Sequence, residues 1–192
     1  MQPKERVGKS KDRVGGASDG SKPLLMVDID GVISLFPAPP DPAGAPRRAD
    51  GSFHSIDGIP HFLSATAAAH LLDLSAHFEL VWASGWEEKA NEYLPHLLGL
   101  PVLPFLRFDS GVAGTRETRG HWKLESMDAC AAGRPLAWVD DALDAACHDW
   151  AAARPAPTLL VQTAPERGLT SREALLLQDW AAERSAPGPV AH

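Results

Sequence analysis

The sequence predicts an α/β protein built around one parallel sheet. Two observations carry that expectation. Short apolar runs recur at 24–27, 78–83, 136–139 and 158–162, and the first, Leu24-Leu25-Met26-Val27, has no polar break at all. Such runs are the habit of strands buried on both faces, as in parallel sheets. Helical stretches separate these runs, so strand and helix alternate about five times, which calls for helices on both faces.

In chain order, residues 1–21 are rich in Lys, Arg, Gly and Ser with no apolar period and read as a disordered tail. The domain itself is expected over 22–184, and 185–192 as a second loose tail. The strand at 24–27 runs into Asp28-Ile29-Asp30-Gly31. The segment 32–60 holds Pro37, Pro39, Pro40, Pro42 and Pro46 and the turn signals Asp50-Gly51 and Asp57-Gly58. Prolines at that density exclude helix and interior strand, so this stretch reads as a flap with room for a short hairpin. A helix is expected over 62–77 with Ser64 near its N-cap. A strand follows at 78–83, ending at Ser84-Gly85, then a helix over 86–98 that Gly99 stops. Residues 102–106 read as a short strand, 107–120 as a polar loop and 121–132 as a helix ended by Gly133. The strand 136–139 enters Asp140-Asp141. A helix over 142–153, a strand over 158–162 and a helix from the capping box Thr170-Ser171-Arg172-Glu173 to about 182 complete the chain. The expected architecture is a doubly wound, Rossmann-like parallel sheet of about five strands.

Composition narrows the class. The chain has 192 residues, 44% of them hydrophobic, enough for one domain with a sizeable core. A net charge of -7 argues against a general polyanion binder. Cys130 and Cys147 form no CxxC pair and fit a reduced, cytoplasmic setting. No apolar run is long enough to span a membrane, the polar start carries no signal-peptide pattern, and no feature demands an obligate protein partner.

Four places carry chemistry: Asp28 and Asp30, Ser84 with Gly85, Lys123, and Asp140 with Asp141. Along a strand, residues i and i+2 share a side, so Asp28 and Asp30 are expected to project together. Each place taken alone has an ordinary explanation, a turn acid, a helix cap or a surface lysine. Their order on successive strand ends does not, because the carboxyl edge of such a sheet is where ligands bind. The set fits phosphoryl transfer. A carboxylate attacks phosphorus, a second acid shuttles the proton, a hydroxyl with backbone amides holds phosphate oxygens, and a lysine supplies positive charge. Further acids hold a hard divalent cation such as Mg²⁺.

These motifs, Asp28-Ile29-Asp30-Gly31-Val32, Val81-Trp82-Ala83-Ser84-Gly85-Trp86, Lys123 in His121-Trp122-Lys123-Leu124, and Leu136-Ala137-Trp138-Val139-Asp140-Asp141, resemble those of the haloacid dehalogenase (HAD) superfamily of phosphohydrolases. The likeness spans about 23–183. Through Glu79-Leu80-Val81-Trp82-Ala83-Ser84-Gly85-Trp86-Glu87 it is similar, more narrowly, to the small HAD domains of RNA-repair proteins. The resemblance implies that Asp28 is the nucleophile and a metal ligand. It implies that Asp30 is the general acid/base with its backbone carbonyl on the metal. Ser84 and Gly85 would bind the phosphoryl group, and Lys123 would stabilise the phosphoenzyme. Asp140 and Asp141 would supply the last metal acids, with open choice as to which makes the direct contact. The short spacing between motifs implies a capless member, open to a phosphate on a nucleic-acid end or on a nucleotide. Arg47, Arg48, Arg116 and Arg119 fall on loops that would rim such a site, or are simply solvated.

Two other classes compete. A receiver-like phospho-acceptor uses similar residues, but its acceptor sits on a middle strand and its lysine comes last. A non-catalytic phosphate-binding module would retain the fold and lose an acid, and no acid is lost here.

Overall fold

The computed structural model describes residues 22–37, 50–108 and 122–185. Both expected tails and the loop arginines Arg47, Arg48, Arg116 and Arg119 lie outside the described residues.

Four parallel strands form the sheet: β1 (Leu24–Val27), β5 (Glu79–Trp82), β6 (Leu136–Asp140) and β7 (Thr158–Gln162), in the order β5-β1-β6-β7. Between β1 and β5 lie three antiparallel strands, β2 (Ser34–Leu35), β3 (Gly51–Ile56) and β4 (Ile59–Ser64), in the order β2-β4-β3. The helices are α1 (Ala65–Leu74), α2 (Lys89–Leu98), α3 (Leu124–Ala131), α4 (Ala145–Ala153) and α5 (Ser171–Ser185).

Alternation along the strands sorts the core into two halves. Leu25 and Val27 of β1, Leu80 and Trp82 of β5 and Ala137 and Val139 of β6 face Leu71 and Leu74 of α1, Leu94 of α2 and Leu177 of α5. Leu24, Met26, Val81, Leu136 and Trp138 point the other way, toward Met127 and Ala131 of α3 and Cys147 of α4. Both faces of the sheet are thus covered, as the unbroken apolar runs required. The described residues contain no helix long and apolar enough to cross a membrane, and no separate cap domain.

The chain leaves β1 in one direction, to β5, and later returns to its other side for β6 and β7. The change of direction lies between β1 and β6, so their carboxyl ends border the crevice where such sheets bind ligands.

Two elements differ from expectation. The stretch 102–106 is not a strand. Phe105 makes only an isolated bridge to Trp82, where the Trp82 N–H donates to Pro104 O (2.9 Å) and the Leu106 N–H to Trp82 O (2.9 Å). Pro101 and Pro104 have no N–H to continue a ladder. The Asn91 side chain takes its place: Oδ1 accepts from Leu103 N (3.0 Å) and Trp82 Nε1 (3.2 Å), and Nδ2 donates to Leu103 O (2.7 Å). The helix expected at 62 begins at Ala65. Phe62 and Leu63 pair with Phe53 and Ser52 in the flap, and Ser64 caps α1 by accepting from Ala67 N (3.1 Å). The flap carries the short hairpin that the sequence left room for, and β2 widens it to a three-stranded sheet. Its hairpin turns at Asp57-Gly58, both at positive φ (52° and 80°), the pairing that suits the twist of a two-residue turn.

Asn91→Ala is expected to destabilise the fold by about 2 kcal/mol, because it strands a donor and an acceptor on Leu103 and the Trp82 indole at once. Urea unfolding of the two proteins checks this.

Candidate active site

The site is built where β1 and β6 end. The ladder continues one residue past the strands on each side of β1: Asp28 N donates to Val139 O (3.0 Å) and Ala83 N to Val27 O (2.8 Å). That register sets Asp28 beside the end of β6 and brings Ser84 out of the sheet next to it. Ser84 is buried and Gly85 exposed, at the turn that leads into α2.

Lys123 stands just before α3 and is 3% exposed. Its Nζ lies 2.6 Å from Asp140 Oδ2 and 3.1 Å from Asp28 Oδ2. A lysine this buried needs anionic partners, and it has one from each strand. Asp140 is fully buried. Its Oδ2 also accepts from Trp138 Nε1 (3.1 Å), and its Oδ1 accepts from Ala142 N (2.9 Å). Asp141 is half-buried and sits against Gly31, where any Cβ would collide with its carboxylate. Gly31 is also at φ 72°, so both space and backbone conformation call for glycine there.

Asp28, Asp140 and Asp141 each offer an oxygen, and these atoms lie within 4.8 Å of one another. Burial pushes the Asp28 carboxyl up from 3.8 to about 6; Lys123 pulls it down and Asp140 pushes it further up. Burial, and then Asp140, raise the Asp141 carboxyl as well. One lysine thus faces three carboxylates. The three hard oxygen donors and the uncompensated charge suit a divalent cation of the Mg²⁺ type.

Asp30 follows a turn. The chain turns tightly at Ile29, whose carbonyl accepts from Ile33 N (2.8 Å) and Ser34 N (2.9 Å), so strand alternation stops at Asp28. Ile29 points into the core as expected. The Asp30 carboxylate stands outside the trio and accepts from Trp86 Nε1 at 3.0 Å. The turn is clamped from beyond β7: Thr163 Oγ1 donates to Gly31 O (2.9 Å), and Leu169 N to Val32 O (3.0 Å).

With this geometry in view, comparison with known proteins is decisive on the family. The model of the HAD domain in Swiss Army Knife RNA repair proteins matches residues 24–174. The chain belongs to this family. A search of curated proteins gives no match. Among solved structures, a hypothetical protein from Xanthomonas campestris is similar over 85% of this chain and 84% of its own, at 15% identity and a TM-score of 0.43. Membership gives the HAD domain a phosphohydrolase character in general terms.

Two residues of this HAD domain escaped the sequence reading. Trp86 directly follows Ser84-Gly85, and His61 lies in the flap. The ring of His61 meets Trp86 edge-on, with centroids 5.0 Å apart and planes at 74°. The signal for Trp86 was its place within a motif already singled out; His61 gave none, because its role depends on the register of β3 and β4.

The raised Asp28 carboxyl has a measurable consequence for the metal-free protein. Between pH 3.8 and about 6 the folded state holds a proton that the unfolded state has released. Stability therefore falls as pH rises through that window and stays lower above it. Asp28→Asn cannot ionise and escapes the loss. In chelator at pH 7.5, Asp28→Asn is expected to melt above wild type, by up to roughly 3 kcal/mol of stability. The gap should close below pH 4; thermal melts across pH check it.

Proposed function

We propose that this HAD domain is a Mg²⁺-dependent phosphomonoesterase working through an aspartyl phosphate on Asp28. Its proposed substrates are phosphate esters on nucleic-acid ends or nucleotides. The observation that carries the reading is the chain Asp28–Lys123–Asp140 at the adjoining ends of β1 and β6, with Asp141 beside it.

In this reading Asp28 attacks phosphorus, and the bond from phosphorus to the leaving oxygen breaks. Asp30 gives that oxygen its proton. Asp30, now ionised, takes a proton from water, which attacks the aspartyl phosphate, freeing inorganic phosphate and restoring Asp28. Ser84 and the Gly85 amide hold the phosphoryl oxygens. Lys123, already neutralising Asp28, offsets charge as it moves to the phosphoryl group. Mg²⁺, held by Asp28, Asp140 and Asp141, would supply further positive charge at the phosphoryl oxygens. Of the last two acids, Asp141 has the freer carboxylate, since both Asp140 oxygens already accept hydrogen bonds.

The substrate class draws support from the rim. Trp122 is 46% exposed and touches the Phe108 ring edge-on at 4.4 Å; a Cβ built on Gly85 would lie 3.8 Å from it. An exposed indole beside the phosphoryl-binding turn is a surface on which a base can stack.

The test is phosphate release from an aryl phosphate and from 3′- and 5′-phosphorylated oligonucleotides, with Mg²⁺ and with chelator. Metal-dependent release is expected from wild type and none from Asp28→Asn. Lys123→Met should lose about a hundredfold or more. A fully active Asp28→Asn protein would refute the mechanism. Stable phosphorylation of Asp28 without release would instead identify a receiver-like phospho-acceptor.

A further inference from the structure

We propose that Trp86 is the positioning residue for the general acid/base, fixing Asp30 through one oxygen so that the other faces the leaving group. The inference rests on the reading of Asp30 as acid/base given above.

Four residues form a closed ring of contacts. Trp86 Nε1 donates to Asp30 Oδ2 at 3.0 Å. The Trp86 ring is held edge-on by His61. His61 Nδ1 lies 2.8 Å from Ser34 Oγ. Ser34 returns to the start, bridging Asp30 and accepting from Gly31 N at 2.8 Å. The members come from three places: the turn after β1, the flap, and the turn after β5. The carboxylate is thus gripped by elements that the rest of the fold holds independently.

Chemistry gives the indole a particular part. An indole N–H only donates; it can neither take a proton nor turn to offer a lone pair. Bonded to Oδ2, it fixes that oxygen as an acceptor throughout the cycle and leaves Oδ1 to give and receive the proton. A serine or water in the same place could exchange roles with the carboxyl and leave the proton's position undefined. The rigid two-ring side chain, backed by His61, holds that donor in place. Lys123, a second strong donor at the site, is taken up by Asp28 and Asp140, whereas the Trp86 indole is directed at Asp30.

The experiment compares kcat/KM of wild type and Trp86→Phe on phosphate esters of graded leaving groups, from p-nitrophenyl phosphate to an alkyl phosphate. Phenylalanine keeps a ring against His61 and removes the donor. The expected result is a loss of no more than about threefold on the nitrophenyl ester, whose leaving group needs little protonation, and about tenfold or more on the alkyl ester. A loss equal on all esters, or none, would overturn the inference and leave Trp86 a packing residue. In the latter cases Asp28→Asn would still be inactive, so the parent reading would stand; an inactive wild type would overturn both. A second measurement does not need turnover or a folded Trp86→Phe protein. In metal-free wild type and Asp30→Ala, the indole N–H resonances are compared by NMR: one indole proton should shift and exchange faster with water in Asp30→Ala. Unchanged indole resonances would overturn the proposal.

Discussion

The interaction on which the structure depends is the pair of ion contacts made by Lys123. A lysine taken out of water costs several kcal/mol unless its charge is met at short range. Lys123 is met twice, by Asp28 from β1 and by Asp140 from β6. Those two strands are neighbours in the sheet but far apart in sequence, and they adjoin where the winding changes direction. The lysine therefore ties the start of α3 to the central crevice. It does so without balancing the site. Three carboxylates to one ammonium leave excess negative charge; burial outweighs Lys123 in raising the Asp28 carboxyl, and burial, then Asp140, raise that of Asp141. A site in this condition suits a proton or a cation. The crowding of acids and the fit to a divalent metal are one physical fact.

Around that charge the backbone leaves little freedom. Asp141 occupies the space that a side chain at residue 31 would need. The turn after Asp28 is held by its own hydrogen bonds and by Thr163 and Leu169 from beyond β7. Gly168 is similarly confined: a Cβ there would strike the Val32 carbonyl. The loop after Asp28 is thus gripped on one side by the sheet and on the other by the β7–α5 connection. This is how a loop residue acquires the positional precision of a strand residue.

Much of this was legible in the sequence, for identifiable reasons. The strands β1 and β6 were readable because burial on both faces leaves continuous apolar runs, and α5 because Glu173 accepts from Thr170 N in the capping box (3.1 Å). Asp28, Lys123, Asp140 and Asp141 could be named because each sits at a strand end or helix start. What failed was the local inference where a non-local partner decides. The apolar stretch 102–106 has strand composition, yet two prolines deny it a ladder and Asn91, on α2, supplies the missing bonds. Phe62 and Leu63 have helical neighbours in sequence but strand partners in space. Asp30 was placed by strand alternation, whereas its backbone belongs to the turn after Ile29 and its carboxylate accepts from Trp86. In each case the deciding contact spans a sequence separation that no short pattern reports.

The flap's hold on the site follows from which of its contacts are strong. Its tip is tied to α2 by Asp57, which bonds Lys89 and the Tyr93 hydroxyl (3.0 Å), and those bonds hold the Asp57 carboxyl below its usual range. That clasp is solvent-exposed, and exposed ion pairs contribute little and weaken with salt. The base of the flap is different. There Ser34 pairs with Leu63, and His61 lies between Ser34 and the Trp86 ring, in a partly buried setting. Any opening motion is therefore easier at the hairpin tip than at its root. A flap that moves at its tip leaves the contacts from Ser34 through His61 and Trp86 to Asp30 in place.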